Sequence, residues 1–169
     1  MSIPAAAARE LLLYMLWADR HMLAAVRPVQ PEHLTRDAGV SFGSLLGTMV
    51  HMLGSQRVWL SRFSGNPLDR RPSAEDYPDL PAWIHGWEET ASGIEAFLAA
   101  LTDAQLAAPL TWTSFSGDTY TQPLWQLVIH LTNHSSYHRG QVVSLLRQMG
   151  YQSPSTDLSY YFIERSTAS

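Results

Sequence analysis

The sequence predicts an all-α protein: a four-helix bundle with a short β-hairpin before the fourth helix and a short C-terminal helix. Three observations lead there. Four segments of about 20 to 27 residues repeat apolar side chains at three- and four-residue spacing, the pattern of a helix with one buried face. Residues 109–122 switch to Thr and aromatic residues around Ser116-Gly117-Asp118. Hydrophobic residues make up 46% of the 169 and charged residues 15%, so residues 1–169 are expected to form a single domain around their own core.

The first helix is predicted from Pro4 to Val26. Pro4 suits a first turn, and Ala5 to Ala8 are strong helix formers. Leu11, Tyr14, Met15, Ala18, Met22 and Ala25 mark its buried face, and Pro28 and Pro31 end it. The second runs from Ser41 to Phe63. Ser41 or Ser44 caps it, and Gly65-Asn66-Pro67 stops it. One face is large and apolar, with Leu45, Met49, Met52, Trp59 and Phe63. The other is small, with Ser44, Gly47, Thr48, Gly54, Ser55 and Val58, and His51 sits in its middle.

Residues 66–80 read as a polar loop with three prolines. The third helix is predicted from Pro81 to Leu101, and Thr102-Asp103 breaks its pattern. Its Trp83 and Trp87 fit either the core or a dimer face. Residues 109–122 form the hairpin, which needs helices to pack on. The fourth helix is predicted from Pro123 to Met149 with Gly150 as its stop, and a short helix near Asp157 to Glu164 closes the chain.

Composition removes several chemistries. The chain has no Cys, which excludes disulfides, Cys-ligated metals and a thiolate nucleophile of its own. All 11 basic residues are Arg, so a Schiff-base lysine and a P-loop are absent. The net charge of −4 and the lack of a basic run argue against a nucleic-acid partner. No apolar run reaches the about 18 residues that cross a bilayer, and the N-terminus lacks the pattern of a signal peptide. The expectation is a cytoplasmic protein with no membrane partner.

The fourth helix carries HLTNHSSYHRGQ, which places His130, His134 and His138 four residues apart and on one side. Its core stripe reads Leu124, Val128, Leu131, Ser135, His138, Val142, Leu145 and Met149, so His138 is a core position and His134 flanks it. Imidazoles entering a core need compensation. A metal ion held by the His134/His138 pair supplies it, and a hydrogen-bonded core histidine is the alternative. The best-placed third ligand on another helix is His51. Imidazole-only ligation suits Zn, Ni, Cu, Co or Fe(II) without choosing among them. His130 reads as a packing or supporting residue, and His21, His33 and His85 as hydrogen-bonded or surface residues. There is no H-E-x-x-H and no G-x-S-x-G.

Four segments resemble the DinB family of DinB/YfiT-like metalloenzymes. Tyr14 to Leu23 (YMLWADRHML) is similar to its first-helix pattern, with Asp19 where Asn is commoner. His51 to Gly65 resembles H-x-x-x-x-E-x-x-W-L-x-R-x-x-G, with Gln56 in the Glu position. His130 to Gly150 is similar to the signature H-x-x-N-H-x-x-H-H-R-G-Q, with Tyr137 replacing one His. The tail SPSTDLSYY resembles the closing D-x-x-x-Y segment.

The resemblance implies a bundle binding a divalent transition metal (Ni, Zn or Fe) through His51, His134 and His138, and a homodimer. It also implies a low-molecular-weight thiol as co-substrate, which fits a chain without Cys. His130, Arg139 and Gln141 are then candidates to support a ligand imidazole or a substrate anion. The expected function is metal-dependent transfer from, or conjugation to, a small thiol, acting on a small-molecule substrate. A metal-dependent hydrolase and a non-catalytic dimeric ligand-binding bundle are the alternatives.

Overall fold

Each long helix begins where an acceptor meets its free amides. In the computed structural model, which describes residues 2–167, Ser44 Oγ accepts from the Gly47 amide at 3.0 Å and starts α3 (Leu45–Phe63). Asp79 does the same for Ala82 at 2.8 Å and starts α4 (Leu80–Ala100). The first helix, α1 (Ala5–Val26), follows Pro4, and its cap is tertiary: the Asp103 carboxylate accepts from the Ala5 amide. The fourth long helix, α6 (Leu124–Gln148), follows Pro123.

Two short helices differ from the sequence expectation. Pro31 does not merely end α1; it occupies the first turn of α2 (Pro31–Thr35). Thr102-Asp103 is not a plain break, because Thr102 and Gln105 form a reciprocal capping box that starts α5 (Asp103–Ala107). The hairpin falls where expected. Strands β1 (Pro109–Thr113) and β2 (Thr119–Pro123) pair antiparallel, with Thr111 opposite Thr121 and Thr113 opposite Thr119. The terminal helix, α7 (Leu158–Thr167), lies on α1, where Tyr161 is buried and donates to Glu10.

The long helices close a ring: α6 packs between α1 and α3, and α4 packs on both of these. Met15, Met49, Leu53, Leu131, Val142 and Leu146 are buried at its centre. Trp83 and Trp87 belong to this core. They are 1% and 6% exposed, and the Trp83 indole N–H donates to the Met49 carbonyl at 2.9 Å. Of the two readings of this pair, core or dimer face, the structure shows the core: Trp83 packs against α3, and Trp87 lies beside Asp19 and Arg20 of α1. Trp112, on the hairpin, packs edge-on against Trp59 of α3, which pins the strands over the end of the bundle.

Candidate metal centre

His51 projects from α3, and His134 and His138 from successive turns of α6. Because α3 and α6 are packed neighbours, the three rings meet. His51 Nε2 lies 3.2 Å from His134 Nε2. One ligating atom from each ring can be chosen so that all lie within 4.8 Å of one another. Two nitrogens bound to one tetrahedral ion at Zn–N distances of about 2.0–2.1 Å sit about 3.3 Å apart, so the pair is already spaced for coordination. Among the described residues no carboxylate or thiolate joins the cluster. The donor set suits a borderline transition ion and leaves coordination positions for water or substrate.

The electrostatics favour the ligating form. His134 is driven down to about 3 by burial, with the His138, His51, His130 and Arg71 charges adding to the effect. His51 is driven down to about 4 by burial, then by His138 and Arg71. Both rings are therefore neutral at pH 7, which metal binding requires. His134 Nδ1 is buried without a partner among the described residues.

The supporting candidates separate. Gln141 Oε1 lies 2.8 Å from His138 Nδ1; a proton on Nδ1 donates there and leaves Nε2 free for a ligand. Arg139 does not reach the triad's side. It is 1% exposed and pairs with the equally buried Asp19 at 2.9 Å, while also donating to Tyr14 and Ser136. The Asp19 carboxyl is pushed up by burial, and the Arg139 charge pulls it back. Gln56 donates to the same carboxylate at 2.6 Å and to Ser135 at 3.3 Å. Two of the three positions at which the sequence departs from the pattern it resembles, Asp19 and Gln56, are therefore in contact.

His130 lies edge-on against Trp59 and lines a cavity beside His134; burial lowers its pKa. Tyr137 is 66% exposed, and its ring edge touches His138. His33 pairs with Tyr151 at 2.8 Å, and His21 and His85 lie beside Glu164 and Glu89, all away from the cluster.

Sequence reasoning missed the parts that loops bring. Phe42, before α3, stacks on His51 with centroids 3.9 Å apart and planes 14° apart. Arg71, in the 64–79 loop, adds charge beside His51 and His134. The signal for both was the small face of α3. A Cβ at Gly47 would fall 2.0 Å from the Phe42 carbonyl oxygen, and one at Gly54 would fall 3.1 Å from that of Pro72. These glycines seat loops, where the sequence alone suggested only room for an imidazole.

A family model described as DinB family matches residues 1–166. Protein DinB of Bacillus subtilis (strain 168) is 27% identical over 159 residues, 91% of this chain and 92% of the relative. A crystal structure of a DinB-like protein from Bacillus cereus has a TM-score of 0.64 at 22% identity, covering 86% of this chain and 94% of that one, which is a likeness of fold.

Proposed function

The chain belongs to the DinB family, and from that premise we propose that it binds a divalent transition metal, Ni, Zn or Fe, through His51, His134 and His138. The observation that carries the reading is the convergence of these three imidazoles from two helices, with ligating atoms within 4.8 Å. When bound, such an ion supplies Lewis acidity that lowers the pKa of a coordinated thiol or water. The protein's own contribution is orientation. Gln141 fixes the His138 tautomer, Phe42 holds the His51 ring by stacking, and the buried Asp19–Arg139 pair locks α6 against α1.

The proposed reaction is transfer from, or conjugation to, a low-molecular-weight thiol on a small-molecule substrate. The absence of Cys supports an external thiol. We propose a cytoplasmic homodimer with neither nucleic acid nor membrane as partner. No helix among the described residues is long and apolar enough to cross a membrane, and the net charge is −4. The competing readings are metal-dependent hydrolysis and a non-catalytic ligand-binding bundle.

The test is metal content by plasma mass spectrometry on untagged protein beside His138→Ala. About one equivalent of transition metal in the parent, lost in the variant, is expected. A parent that is empty and takes up no added Zn, Ni or Fe(II) overturns the reading and leaves the binding bundle. In the cobalt form, a sulfur-to-metal charge-transfer band with small thiols distinguishes thiol transfer from hydrolysis.

A further inference from the structure

Beside the triad lies a cavity of about 330 Å³, and His134 and His130 form part of its wall. Arg62 and Arg71 also line it, together with Trp59, Trp112 and Phe115. Its lining contains no acidic residue. The Arg62 guanidinium is fixed by a bond to the Thr113 carbonyl at 2.9 Å and lies over the Trp112 and Trp59 rings at 4.6 and 4.8 Å. Arg71 is held at the rim because its neighbour Pro72 rests on Gly54 of α3. Among the described residues neither arginine forms an ion pair, whereas Arg20, Arg57, Arg70, Arg139 and Arg165 each do.

Two uncompensated like charges are thus set against an aromatic wall, and they repel each other: burial and Arg71 together lower the Arg62 pKa. Arrangements of this kind are relieved by an anion. A guanidinium fork matches a carboxylate, and the aromatic faces match a flat apolar body. His134 shares the cavity's wall with the two arginines, so a molecule anchored by them lies beside the triad.

We propose that this cavity is the substrate-anchoring subsite. It takes a small organic carboxylate whose acid group is bound by Arg71 and Arg62 and whose apolar body lies on Trp59, Trp112 and Phe115. This rests on the triad being the reactive centre. The carboxylate could belong to the electrophile or to the thiol; the chemistry of capture is the same.

The test is equilibrium binding followed by tryptophan fluorescence, in metal-free and zinc-loaded protein, because Trp59 and Trp112 line the cavity. Benzoate probes the electrophile and N-acetylcysteine the thiol; benzamide and N-acetylcysteine amide are their uncharged counterparts. At least one acid is expected to bind, with its amide about tenfold weaker. Arg71→Gln is expected to weaken that acid about tenfold and leave the melting temperature unchanged, because Arg71 is exposed and makes no ion pair. Arg62→Gln is expected to act likewise with some loss of hairpin docking. Arg-dependent binding of benzoate assigns the acid to the electrophile, and of N-acetylcysteine alone to the thiol. Acid and amide binding equally, or no acid sensitive to Arg71→Gln, overturns the proposal. Acid binding that persists in His138→Ala, in a parent without metal affinity, separates the subsite from the metal reading.

Discussion

Asp19 and Arg139 are each 1% exposed and face each other at 2.9 Å, so each buried charge is compensated by the other. Asp19→Asn is expected to cost about 3–5 kcal/mol in urea unfolding, the range for stranding one charge of a buried pair. Adding Gln56→Glu places a carboxylate on the neighbouring helix and is expected to recover much of that loss; a double-mutant cycle reads the coupling directly. The histidines give a pH prediction. In metal-free protein His51 and His134 are lowered to about 4 and to about 3, below the ordinary value of 6.5. Between those values the unfolded chain binds more protons than the folded one. Their contribution is therefore fully present above pH 6.5 and is lost progressively as pH falls toward 4. Urea midpoints are expected to drop between pH 7 and pH 5, and to drop less in His51→Gln/His134→Gln.

At the scale of elements, α3 does two jobs with opposite faces. Its large side chains build the core, and its glycines let two loops lie against it. Gly47→Ala places a Cβ 2.0 Å from the Phe42 carbonyl oxygen, so the loop must move. It is expected to cost about 1–3 kcal/mol and to weaken zinc binding, because Phe42 leaves the His51 ring. Gly54→Ala meets Pro72 at 3.1 Å and needs only a small shift; its effect is expected in carboxylate affinity more than in melting temperature. The periodicity of α1, α3, α4 and α6 was legible in the sequence because each buries one continuous stripe. Ser44 and Asp79 as caps were legible or nearly so, since their side chains act within three residues. The cap of α1 was not, because its acceptor is Asp103, 98 residues away. The short α2 and α5 hide for another reason: one turn carries no periodicity, only a Pro or a capping box.

For the whole molecule, the triad ties α3 to α6, so a bound metal adds a cross-link that the unfolded chain lacks. At 100 times its dissociation constant such a ligand contributes about 2.7 kcal/mol, and for a domain of this size that raises the melting temperature by about 5–10 °C. Zinc is expected to produce this rise in the parent and none in His138→Ala, as read by calorimetry. The sequence by itself determined the helical fold, the hairpin and the side of α6 on which three histidines lie, because spacing along one helix fixes the angle around it. It also marked His138 as a core position and singled out His51 as the candidate to join the pair. Only the tertiary structure decided that α3 and α6 are neighbours, which brings His51 within 3.2 Å of His134. It alone turned Trp83 and Trp87 inward, gave Arg139 to Asp19, and carried Phe42 and Arg71 to the site on loops. Such contacts join residues distant in the chain, and no local pattern of side chains encodes which helix faces turn toward each other.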